Sequence, residues 1–60
     1  MKIETVLTNL DRTIEGKELF LSKLSEPTDS LAIGFVKLNL DELRRIHADL
    51  VKVKKSLDFL

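Results

Sequence analysis

A chain of 60 residues holds at most one small domain. It buries only about 60% of its unfolded surface, so it needs help to stay folded. Cysteine is absent and histidine occurs once, which excludes disulfides, thiolate metal sites and a histidine-built zinc site, and leaves oligomerisation as the source of that help. Ten basic and ten acidic residues cancel, so no overall field draws the chain to nucleic acid or to a membrane surface.

The apolar fraction of 43%, with a charged third and three aromatics, suits a helical bundle rather than a disordered chain. Charge is mildly split: residues 1–30 carry four basic and six acidic groups, residues 31–60 six basic and four acidic. The opening MKIETVLTNLDR places acids and polar groups where a signal peptide needs an apolar run. No segment approaches the roughly 20 apolar residues of a membrane span. The expectation is a single cytoplasmic domain over 1–60 that starts at its native first residue and has no membrane contact.

The first helix is predicted over about 2–24. Ile3, Leu7, Leu10, Ile14, Lys17, Leu21 and Leu24 recur at alternating spacings of four and three, and six of these seven are apolar. Val6, Thr13 and Phe20, seven apart, widen the stripe on one side. Gly16 is a local weakness of about 1 kcal/mol relative to Ala, expected on an exposed face. The run Ser25-Glu26-Pro27-Thr28-Asp29-Ser30 then gathers turn and capping residues around the only proline, which places a hairpin loop at 25–29. Thr28 or Ser25 is the expected cap, with Asp29 near the positive helix N-terminus.

The second helix is predicted over 30–58. Its apolar stripe is read through Val36, Leu40, Leu43, Ile46, Leu50, Val53, Leu57 and Leu60. Ala32 and Phe35 broaden it, and Gly34 and Lys37 point outward. The alternative is a three-helix domain with a break near 34–39, because LAIGFVKL is rich in β-formers and Asn39 to Glu42 fits a capping box. A lone strand has nothing to pair with, which favours one long helix.

A loop this short makes the helices antiparallel neighbours, and folding at 27–28 pairs positions whose numbers sum to roughly 54–57. That brings Ile14 near Leu43, Leu10 near Ile46 and Leu7 near Leu50. Lys17 falls opposite Asn39, and the two are read as a polar layer, or as a snorkelling lysine beside an asparagine on the bundle edge. A two-helix hairpin has one interior face and closes no core alone. Two hairpins packed as a homodimeric four-helix bundle are the expected all-α architecture. The core and dimer residues are then Ile3, Leu7, Leu10, Ile14, Leu21, Leu24, Phe35, Val36, Leu40, Leu43, Ile46, Leu50, Val53, Leu57 and Leu60. Leu38, Val51 and Phe59 fall off the intramolecular stripe, and the tail 56–60 overhangs the first helix as a further dimer contact.

No constellation for catalysis emerges. His47 has Leu43, Arg44, Leu50 and Val51 in reach along its own helix, none of them a general-acid or nucleophilic partner. Glu15 and Glu18 share a face, but the Glu-x-x-His pattern of di-metal bundles is absent, as are a P-loop and a Ser/His/Asp set. The expectation is no enzyme, no cofactor, no metal and no small-molecule substrate. The leading reading is a homodimeric protein-interaction or regulatory protein with an unidentified protein partner, of the kind common among phage and mobile-element accessory proteins. The second reading is a nucleic-acid-binding regulator using Arg44, Arg45, Lys52, Lys54 and Lys55. Those residues are spread around the helix, diluted by Asp49 and Asp58, and no aromatic is interleaved for base stacking. The shape resembles the small antiparallel-hairpin dimers among plasmid and phage regulators, a likeness of architecture alone.

Overall fold

The computed structural model describes residues 2–59, and side chains for 2–58. It consists of two helices, α1 (Ile3–Ser22) and α2 (Ser30–Phe59), packed as an antiparallel hairpin. Leu60 and the side chain of Phe59, both expected at a dimer contact, lie outside the described residues.

Helix α1 ends where its apolar repeat meets the turn residues. Lys23 and Leu24 donate to the Phe20 and Leu21 carbonyls at 3.0 and 3.1 Å, tightening the last turn and leaving Leu24 half-buried beyond it. The chain crosses a cis Glu26–Pro27 peptide into α2. There Asp29, rather than Thr28 or Ser25, stands at the cap position, because its carbonyl accepts the Ile33 N–H at 2.8 Å. The Asp29 carboxylate turns back to accept the Ser25 N–H at 2.9 Å, while the Asp29 N–H donates to the Ser25 carbonyl at 2.9 Å. These reciprocal bonds close the loop on itself.

Helix α2 runs without interruption through 34–39, so the described residues form two helices and not three. The β-formers there are carried by packing: Ile33 and Val36 are buried against α1, and Leu40 is 2% exposed. Burial of that face outweighs the few tenths of a kcal/mol of unfavourable propensity per β-branched residue. Gly34 lies on the outer side, and a Cβ added there meets nothing within 4 Å. Gly34→Ala is therefore expected to raise stability by about 0.5–1 kcal/mol, read as a thermal midpoint several degrees higher.

The face that α1 presents follows the repeat: Ile3, Val6, Leu7, Leu10, Ile14, Lys17, Leu21 and Leu24 are all half-buried, and none is fully buried. The opposing face of α2 runs through Ile33, Val36, Leu40, Leu43, His47, Leu50 and Lys54. It departs from the stripe read from spacing at Ile46 and Val53, each 46% exposed, and at Leu57, 56% exposed. The cause lies in two rows that flank the shared Val36–Leu43–Leu50 row at the same spacing. One row carries Ile33, Leu40, His47 and Lys54; the other carries Asn39, Ile46 and Val53. The first row turns inward because its loop half carries Ile33 and Leu40, which are buried, and because Asp11 of α1 meets its polar continuation at His47. Asp11 Oδ1 lies 2.8 Å from His47 Nε2, and Glu18 accepts a hydrogen bond from Arg44 at 2.7 Å. These pairs set Asp11 and Glu18 of α1 against His47 and Arg44 of α2, an antiparallel register.

Candidate functional site

The hairpin has two unlike sides. One is closed by charge: Arg44 bridges from Glu18 of α1 to Asp41, one turn earlier on its own helix, at 2.7 and 3.9 Å, and His47 with Asp11 holds the next layer. The Arg44 and Glu18 side chains are each about half exposed, so solvent screens the pair, and it orients the helices more than it stabilises them. The His47 imidazole is better covered, at 29% exposure. Its partner Asp11 sits on the other helix, beyond the reach of a search along α2 alone. Only the heptad position of Asp11, beside Leu10 on the flank that carries Glu18, signals it in the sequence.

The opposite side is apolar and open. Phe20 of α1 is 53% exposed, and Phe35, Ile46 and Val53 of α2 are 72%, 46% and 46% exposed. At the loop end this side widens into a groove of about 720 Å³ between Gly16, Lys17 and Phe20 on α1 and Leu31, Ala32, Phe35 and Val36 on α2. Leu31 at its rim is 92% exposed. A second groove, about 430 Å³, follows the outer face of α2 past Phe35, Leu38, Asn39, Glu42 and Arg45. Helix packing explains why both stay open: α1 is one helix wide and covers a single stripe of α2, whereas α2 carries apolar residues over a broader arc.

The residues expected at the core and dimer interface thus divide. Ile3, Leu7, Leu10, Ile14, Leu21 and Leu24 meet Val36, Leu40, Leu43 and Leu50 inside the hairpin, while Phe35, Ile46, Val53 and Leu57 stand outside it. Lys17 and Asn39 are both half-buried but line different grooves, and no hydrogen bond joins them among the described residues. Lys17 lines the loop-end groove with Phe20, Phe35 and Val36.

The basic residues of α2 do not share one surface. Arg44 is committed to Glu18, Lys54 is half-buried on the face toward α1, and Arg45 lies in the outer groove beside Glu42. Lys52 and Lys55 are exposed. No helix of the described residues is long and apolar enough to cross a membrane. The protein matches no protein-family model, no curated protein and no solved structure, so its function is read from the open apolar side and the surfaces around it.

Proposed function

We propose that the protein is a non-enzymatic interaction protein that works as a homodimer. Two hairpins close their open apolar sides on each other to make a four-helix bundle, and the outer faces of that bundle bind and modulate another protein. The observation that carries this reading is the surface the single chain leaves uncovered. A compact monomer of this mass exposes about 4,000 Å², whereas this hairpin exposes 4945 Å². The excess is close to the roughly 800 Å² that each partner buries in a standard protein interface. Shape agrees: the radius of gyration is 14.5 Å, against about 10 Å for a compact domain of this length. The molecule measures 50 × 15 × 14 Å, one helix layer short of a bundle in its narrow directions.

The excess is also of the right kind. Large exposed apolar side chains are normal when scattered, but Phe20, Phe35, Ile46 and Val53 line one side of one hairpin. The cytoplasmic setting and the accessory role of phage or mobile-element type belong to this proposal on the strength of the sequence alone. The test is sedimentation equilibrium at micromolar concentrations, with far-ultraviolet circular dichroism on the same samples. A mass of twice 6.9 kDa with high helicity is expected. A helical species of one chain mass at every concentration overturns the reading.

A further inference from the structure

The homodimer proposed above leaves open how the two hairpins lie, and the charges on α2 discriminate between the arrangements. Glu42, Arg45, Asp49 and Lys52 alternate in sign along the outer face of α2, beside the apolar Phe35–Ile46–Val53 row, and all four are exposed. If two copies pair with their loops at the same end, the α2 helices run parallel across a two-fold axis. Each residue then lies at the level of its own copy, but the two-fold sets the charged row of one helix on the opposite flank from that of the other, so the row finds no partner in itself. If the loops lie at opposite ends, the α2 helices run antiparallel about the level of His47. Glu42 then comes level with Lys52 of the second copy, and Arg45 with Asp49, so every pair is of opposite sign.

The apolar ends fit the same arrangement. The loop end carries the wide groove and its exposed rim, Leu31 and Phe35. At the other end, α2 continues past the start of α1, and Val53 and Leu57 stand about half exposed. In the antiparallel pairing the level of Leu57 on one copy falls at Lys37 of the other, less than one helical turn from Val36 and Phe35 at the near edge of the groove. With 30 residues, α2 spans about 45 Å, long enough for each copy to reach the other's groove. From this we infer that the open apolar side is covered by a second copy of this chain, in an antiparallel α2–α2 dimer with its loops at opposite ends and with Leu57 of each copy at the near edge of the other's groove. The contact is self-complementary, as a two-fold interface requires.

The absence of cysteine makes the arrangement readable by disulfide trapping, since a bridge forms only where Cα atoms approach within about 7 Å. Three single variants are needed: Ile46→Cys, Phe35→Cys and Leu57→Cys. Under mild oxidation most of the Ile46→Cys protein is expected to run as a covalent dimer, because that position lies beside the two-fold axis. Phe35→Cys and Leu57→Cys are each expected to stay uncrosslinked alone and to form a mixed disulfide when combined. Self-linking of Phe35→Cys, with no mixed product, overturns the antiparallel arrangement and leaves the dimer standing. A sedimenting dimer that none of the three variants traps also overturns it. A monomeric mass removes the dimer itself, so the two failures are told apart before any oxidant is added.

Discussion

Leu40→Ala is expected to cost about 3 kcal/mol, most of the stability of the hairpin. Leu40 is the one side chain exposed by only 2%, and it sits between Ile33 and Val36 on one side and Leu43 on the other. Truncating a fully buried leucine removes its transfer energy and leaves a cavity, together worth about 2–5 kcal/mol. A chain of 60 residues has roughly 3–9 kcal/mol to lose. Thermal melting followed by circular dichroism should show the midpoint falling by roughly 12–24 °C, or no cooperative transition at all. Leu19→Ala, at a position 59% exposed, serves as the control and should shift stability by no more than about 0.5 kcal/mol. Equal losses in the two variants would mean that the core is not centred on Leu40.

The second large effect concerns association rather than folding. Ile46→Asp should weaken the proposed dimer by about three orders of magnitude. Ile46 is already 46% exposed in the single chain, so a carboxylate there is well solvated in the monomer. In a two-fold dimer the same change acts from both sides, each losing apolar burial of about 2 kcal/mol and adding an unpaired charge to the contact. About 4 kcal/mol per dimer corresponds to roughly a thousandfold in Kd. Ala48→Asp, also exposed but two positions further round toward the ion-paired side, should leave the mass unchanged. Sedimentation equilibrium of the two variants side by side measures the difference. An Ile46→Asp protein that remains dimeric would move the interface off this side of the hairpin.

Much of the fold is legible in the sequence because helix periodicity and turn chemistry agree. The alternating repeat from Ile3 to Leu24 and the Ser25–Ser30 cluster place both helices within two residues of where they lie. What the spacing does not decide is which flank of α2 turns inward. Ile46 and Val53 are more apolar than His47 and Lys54, so hydrophobicity alone points to the wrong row for the contact within one chain. The inward flank is set at the loop end by the burial of Ile33 and Leu40 and farther along by Asp11, a residue far away in sequence whose carboxylate meets His47. A pattern read along one helix holds no information about the flank charges of its neighbour. The loop shows the same limit on a smaller scale: Ser25, Thr28 and Asp29 are all competent caps, and only the closed geometry selects Asp29.

The position of the buried layer also governs how the hairpin opens and closes. Ile33, Val36 and Leu40 lie within three turns of the loop, whereas the far layers near Ile3 and Lys54 are only half covered. Joining two helices across so few residues costs little loop-closure entropy, so the first layers to meet are those beside the loop, and the rest follow as a zipper closes. Opening runs the other way, fraying from the free ends while the loop end holds. The half of the molecule that loosens first is the half that carries Val53 and Leu57, so in the proposed dimer the second chain would gain its first foothold there without undoing the side chains packed at the turn.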